Sequence, residues 1–86
     1  MYPIFYLDYY EGYLLDVDYY SLQPEDLRLL DCCIWLVDNN ASIRKCSKNF
    51  MISKSSLHRH IHNKLRKLSS ELFQCTMRVL KKHKEV

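Results

Sequence analysis

The 86 residues carry a formal net charge of +3, a single Gly and four Cys, a length at which one small domain buries only about 60% of the surface its unfolded chain exposes. Three or four helices around one core are what that length supports, and the lone Gly excludes the glycine-rich loops that cradle nucleotide phosphates. The charge is divided: residues 1–40 hold eight acids and one Arg, a sum of −7, whereas residues 41–86 hold twelve Lys or Arg and two Glu, a sum of +10. That asymmetry is the footprint of a nucleic-acid-binding half joined to an acidic segment.

At the N-terminus, Tyr2 to Tyr20 holds all seven tyrosines and Phe5 among Asp8, Glu11, Asp16 and Asp18. The acids interrupt any secretory signal, and no apolar run in the chain approaches the ~20 residues of a membrane span; a cytoplasmic protein is expected. Glu11-Gly12 separates two runs of high strand propensity. In the second, Tyr13, Leu15, Val17 and Tyr19 alternate with Leu14, Asp16, Asp18 and Tyr20, which predicts a small β-hairpin. An isolated two-stranded hairpin is marginal in water, so this one has to pack on the helices or stay partly unfolded. Residues 1–22 are therefore read as an acidic aromatic arm. Its roles are a partner or self-association surface, an acidic lid over the basic half, or a plain extension of the core.

Ser21 to Pro24 leads into a first helix, with Pro24 in its first turn and Glu25 and Asp26 where the helix dipole favours anions. Leu27, Leu30, Ile34 and Val37 trace its principal inward face, and Leu29, Cys33, Trp35 and Leu36 widen it. A helix apolar over most of its circumference belongs at the centre of the core. Asp38-Asn39-Asn40 ends it.

The next stretch, Ser42 to Lys64, organises the chain. Ser42 caps a short helix whose buried face is Ile43, Cys46, Ser47 and Phe50. A second helix starts at Ser53, with Ile52 before the cap and Leu57 four residues inside it, the spacing of a hydrophobic staple. Leu57, Ile61 and Leu65 continue its inward stripe, while Ser55, Ser56, Arg59, His62, Asn63 and Arg66 fall on the other side with His58 at the edge. Two short helices around a three- or four-residue turn, the second polar and basic outside, are the arrangement that sets a recognition helix into a major groove. An ordinary helical hairpin with a solvated charged face has the same outline.

Leu68 and Ser69 repeat the staple and cap ahead of a last helix, with Phe73 as the inner partner. Leu72, Phe73, Thr76, Met77, Val79 and Leu80 face inward and Glu71, Gln74, Arg78, Lys81 and Lys82 outward. Lys81, Lys82, His83 and Lys84 suit the carbonyl end of the helix, as a solvated terminus or as contacts to flanking phosphate.

Little else carries chemistry. Cys32, Cys33, Cys46 and Cys75 form no C-x-x-C pair and sit in helical patterns, where a free thiol acts as a small apolar side chain. His58 and His62 have a spacing that can clamp a metal, but no third ligand lies near in sequence, and His60 reads as a packing residue. With no nucleophile–base pairing or paired carboxylates, an enzyme is not expected, nor are cofactors or metals.

The run SIRKCSKNF followed by ISKSSLHRHI resembles the stage III sporulation protein D family of compact helix-turn-helix transcriptional regulators. That family tends to show Thr-Val-Arg-Lys-Ala-Ala-Lys-Arg-Phe and then Val-Ser-Lys-Ser-Thr-Val-His-Lys. Arg44, Lys45, Lys48, Phe50, Ser53, Lys54, Ser55 and His58 are identical to the pattern, and Ile43, Ile52, Ser56, Leu57, Arg59 and Ile61 are conservative versions. The likeness spans roughly Leu27 to Lys84. It departs in three places: Met51 stands where the family has Gly, the family's basic C-terminal segment is missing after Glu85-Val86, and the Tyr-rich stretch has no recognised counterpart. If position 51 needs φ > 0, an unbranched side chain costs about 1 kcal/mol there, which predicts a looser or differently shaped turn.

The expected fold is thus mainly α, a small helix-turn-helix bundle of about four helices over 23–86, its motif at 42–64, with the arm at 1–22. The expected function is a sequence-specific, double-stranded DNA-binding transcriptional regulator in sporulation. Lys54, Ser55, Ser56, His58, Arg59 and His62 would read bases, and Ser42, Arg44, Lys45 and Lys48 would hold phosphates. The alternative is a protein-interaction module on the same scaffold, its arm binding a partner or masking the basic face.

Overall fold

A computed structural model of the protein describes residues 8–85. Tyr2, Phe5 and Tyr6 of the aromatic stretch lie outside the described residues. The elements in order are β1 (Asp8–Tyr10), β2 (Tyr13–Leu15), one 3₁₀ turn (Tyr19–Ser21), α1 (Pro24–Asp38), α2 (Ile43–Phe50), α3 (Lys54–His60), a π turn (Ile61–Leu65), α4 (Arg66–Leu68) and α5 (Ser70–Lys82). Because α3, the π turn and α4 run on without a break, the protein is mainly helical, four rods beside a two-stranded hairpin.

The hairpin forms where the sequence places it. Its strands pair antiparallel with Tyr10 opposite Tyr13 and Asp8 opposite Leu15. Glu11 (φ 50°) and Gly12 (φ 88°) take the two left-handed positions that a two-residue hairpin turn requires. The alternation expected through Tyr20 stops at Leu15, because the following backbone has other partners. The Asp16 N–H donates to Leu68 O at 2.8 Å, the Ser69 hydroxyl donates to Leu14 O at 2.6 Å, and Asp16 Oδ2 accepts from Ser70 N at 2.7 Å. Asp18 then caps the 3₁₀ turn by accepting from Tyr20 N. Anchored this way, Leu15 joins the core and the hairpin is stable as part of it.

Helix α1 is the centre of the core, but not on the face its spacing suggests. Leu29, Leu30, Cys32, Cys33 and Leu36 are buried, whereas Leu27, Ile34, Trp35 and Val37 are only half-buried. The apolar residues cover so much of the circumference that the pattern alone cannot choose a side; packing against α5, α2 and the π turn chooses it. The Tyr10 hydroxyl donates to Asp31 Oδ1 at 2.6 Å and ties the hairpin to the helix's outer edge.

Three of the helices end on a residue in the left-handed region: Asn40 (φ 48°) after α1, Met51 (φ 56°) after α2 and Lys84 (φ 57°) after α5. Each is followed by the paired bonds of a Schellman motif: Asn40 N to Val37 O and Ala41 N to Leu36 O, Met51 N to Lys48 O and Ile52 N to Ser47 O, Lys84 N to Lys81 O and Glu85 N to Leu80 O. These motifs set the corners of the bundle in a chain whose one Gly is used elsewhere.

The C-terminal turn is tied to the rest of the bundle at two points. His83 Nε2 meets Asn40 O at 2.9 Å, and Glu85 Oε1 accepts from Ile43 N at 2.9 Å. The carboxylate thereby satisfies one of the unpaired N–H groups of α2's first turn. Lys81, Lys82 and Lys84 remain exposed. Among the described residues, no helix is long and apolar enough to cross a membrane.

Candidate nucleic-acid interface

Helices α2 and α3 are joined by the three residues Met51, Ile52 and Ser53. Ser42 Oγ accepts from Lys45 N at 3.1 Å, and Ser53 Oγ accepts from Ser56 N at 3.2 Å, so both helices start at hydroxyl caps. Ile43, Cys46 and Ser47 are buried and Phe50 half-buried, its ring edge-on to Trp35 with centroids 5.8 Å apart. Arg28 Nη2 donates to Phe50 O at 2.6 Å and pins the end of α2 to α1. The left-handed conformation expected of position 51 is adopted by Met51. The left-handed residue is present with its Schellman bonds, and the methionine side chain is 90% exposed, so it meets no obstacle beyond the intrinsic cost of φ > 0.

Behind α3, Leu57, Ile61, Leu65 and Leu68 are buried and Ile52 half-buried. In an α-helix residues four apart drift by about 40° per turn, so a stripe at 57, 61 and 65 would rotate out of the core. The π turn at Ile61–Leu65, with its i→i+5 bonding, winds less per residue and keeps the stripe facing inward. No residue in the run announces it.

On the opposite side, Lys54, Ser55 and Arg59 are exposed, and with His58 they line one shallow concavity. Ser56 and His58 are half-buried. His62, at the edge of this face, is tilted against His58 with centroids 4.5 Å apart and stands edge-on to Phe73 at 6.3 Å. Its Nε2 is buried without a hydrogen-bond partner, and burial, then the neighbouring His58, pushes its pKa down. A neutral imidazole is the consequence, one nitrogen of which is turned away from solvent. Among the described residues, no three His, Cys, Asp or Glu come together to hold a metal. His60 lies on the far flank, in a small cleft with Glu25, Arg28 and Leu57.

Arg44, Lys45 and Lys48 are exposed on α2. Ser42, Lys45 and Lys48 line a groove together with Trp35, Asn49 and His83. Asn49 neighbours Lys48 on α2, whereas Trp35 and His83 come from other helical segments, and no local spacing in the sequence joins those two to the lysines. Among the described residues the only ion pair is Lys64 Nζ to Asp26 Oδ1, a long 3.8 Å. The cations on α2 and on the outer face of α3 are thus left to solvent or to an external anion.

A buried leucine stripe behind a cationic, hydroxyl-rich helix face, held by a capped three-residue turn, defines a class: small helical bundles that present one polar helix to the outside. Residues 25–86 match the family model described as Stage III sporulation protein D. That stretch is well over half of the chain, and the protein belongs to this family, which is regulatory rather than enzymatic and points to control of transcription in sporulation. The match begins at Glu25, leaving the aromatic arm outside it. No curated protein and no solved structure matches the chain.

Proposed function

We propose that the protein is a sequence-specific DNA-binding transcriptional regulator acting in the cytoplasm, with α2, the turn and α3 as its helix-turn-helix. Residues 23–86 form the DNA-binding domain and residues 1–22 an appended arm. The observation that carries this reading is the outer face of α3: Lys54, Ser55 and Arg59 are exposed side by side while Leu57, Ile61 and Leu65 anchor the helix from behind. A rigid helix presenting donors on one side is what a major groove accepts. Arg59 forks onto guanine O6 and N7. Lys54, Ser55, Ser56 and His58 bond base edges or adjacent phosphates, and His62 contributes from the rim with its one outward nitrogen. Ser42, Arg44, Lys45 and Lys48 set the register on the backbone.

The test is an anisotropy titration of the full chain on a duplex selected from a random pool and on a random duplex, at two salt concentrations. Arg59→Ala is expected to weaken binding to the selected duplex by about 1 to 3 kcal/mol and to relax choice at one base pair. Lys48→Ala is expected to weaken both duplexes alike and to reduce the slope of log K against log salt by about one. Equal losses on both duplexes for Arg59→Ala would remove it from base reading, and no salt-dependent binding at all would sink the DNA reading.

A second reading keeps the scaffold and gives the arm the activity. Tyr9 is 59% exposed and Tyr20 87% exposed, an aromatic surface of the kind enriched at protein interfaces. On that reading the arm binds a protein partner, or a second copy of the chain, and the basic face has only feeble affinity for DNA.

A further inference from the structure

The four cysteines occupy three different environments. Cys75, on α5, is partly exposed. Cys33 and Cys32 are neighbours on α1, so their side chains leave the helix about 100° apart; Cys33 is fully buried beside Thr76 of α5. Cys32 turns to α2 instead. The Cys46 thiol donates to the carbonyl oxygen of Cys32 at 3.3 Å and also lies within hydrogen-bonding reach of the Cys32 thiol. Both residues have no exposed surface. They stand where α1 and α2 pack, fourteen positions apart in the chain, with the corner at Asn39–Ser42 between them. The Cys46 sulfur already lies against the backbone of its partner residue, at the packed face between the two helices.

We infer that Cys32 and Cys46 are a site of reversible oxidative cross-linking, at which a peroxide converts the two thiols into one disulfide that clips α1 to α2. One thiolate attacks a peroxide oxygen, breaking the O–O bond to give a sulfenic acid and hydroxide, which takes up the displaced thiol proton as water. The second sulfur then attacks the sulfenic sulfur, forming the S–S bond and expelling the hydroxyl as a second water. Two thiols are oxidised and one peroxide is reduced, with no other reactant. The attacking group is Cys32. The hydrogen bond from Cys46 holds its pKa down, whereas the same bond and burial push Cys46 up. Because both sulfurs are buried, the step proceeds through opening of the α1–α2 corner and is slower than oxidation of Cys75. Once formed, the bridge constrains the unfolded chain and closes that opening.

The experiment uses the full chain. The reduced protein is treated with hydrogen peroxide, quenched, alkylated, digested without reductant and mapped by mass spectrometry. The expected product is a linked pair of peptides containing Cys32 and Cys46, lighter than their sum by two hydrogens and separated by dithiothreitol. An intact protein with a thermal midpoint several degrees above that of the reduced form should accompany it. Cys75→Ser should leave the bridge in place, and Cys46→Ala should abolish it. The wild-type map decides the matter even if Cys46→Ala fails to fold. Cys32 and Cys46 still alkylated after Cys75 has been fully oxidised, or a bridge that maps to Cys33 or Cys75, would overturn the inference.

Discussion

In the arm and its surroundings, Asp8, Asp16 and Asp18 accept from the backbone N–H groups of Tyr19, Ser70 and Tyr20, Asp26 accepts from Gln23 N, and Asp31 accepts from the Tyr10 hydroxyl. On α2 and the outer side of α3, by contrast, Arg44, Lys45, Lys48, Lys54 and Arg59 are exposed, and none is in the one ion pair among the described residues. Five of the eight acids of the first half are engaged in holding the fold together, mostly as caps and turn partners. The cations of α2 and of the outer side of α3 do nothing for the fold that the structure records. Charge asymmetry along a chain therefore has two separate meanings here: the negative part is largely architectural, and the positive part is available. It also bears on the lid reading of the arm, since Asp8 and Asp16 already have backbone partners on the hairpin side of the molecule.

That contrast can be broken or sharpened by substitution. The largest effect is expected behind the cationic face. Ile61→Ala removes a side chain with no exposed surface at the start of the π turn, and large-to-small changes at such sites cost about 2 to 5 kcal/mol. Urea unfolding should record that loss. A value near zero would mean that the rod is not anchored through this stripe.

Asp16→Ala should cost about 1 kcal/mol, the worth of a lost N-terminal cap, because Ser70 N loses its 2.7 Å partner at the start of α5. If the arm's acids are architectural, DNA affinity should be unchanged in the same variant. Tighter DNA binding instead would revive the acidic lid. Met51→Gly should raise stability by about 1 kcal/mol or less, since Gly adopts φ 56° freely but loses more entropy on folding. A loss of stability there would mean that the exposed methionine packs on something.

The smallest effect is spectroscopic. The hydrogen bond to Asp31, with burial and the nearby carboxylate charge adding to it, pushes the Tyr10 pKa up to about 12. A Tyr that keeps its proton longer when folded favours the native state below about pH 10, the unfolded value, and that contribution is lost as pH rises toward about 12. Absorbance titration should therefore detect late-ionising tyrosine in the wild type, Tyr10 together with Tyr13, whose pKa burial also pushes up. Asp31→Asn should move Tyr10 back toward the others. An unchanged alkaline titration would remove the carboxylate from the explanation.

Much of this molecule is legible in the residues themselves, and where it is, the cause is local. Ser42, Ser53 and Ser69 cap helices because a hydroxyl one residue ahead of an apolar-periodic run is the nearest acceptor for free N–H groups. The hairpin follows from Glu11-Gly12 between alternating strands, and the inward stripe of α5 from its clean amphipathic pattern. The cationic side of α3 was readable for the same reason. The inward face of α1 was not, because a helix apolar on nearly all sides carries no signal for which side wins. Neither was the strand's early end at Leu15, which depends on Asp16 meeting Leu68 more than fifty residues later.

Local sequence alone determined the helix starts, the hairpin turn, the division of charge and the two-sided character of α3, all of which depend on neighbours a few positions apart. Only the tertiary structure decided the rest. It wound Ile61–Leu65 as a π turn, turned one nitrogen of His62 inward against Phe73's side of the core, and brought Trp35 and His83 beside Lys45 and Lys48. It also set Cys46 against Cys32 and Glu85 at the start of α2. Each of these is a contact between segments distant in the chain, and such contacts are chosen by the packing of whole helices on one core, a choice that no window of a few residues contains.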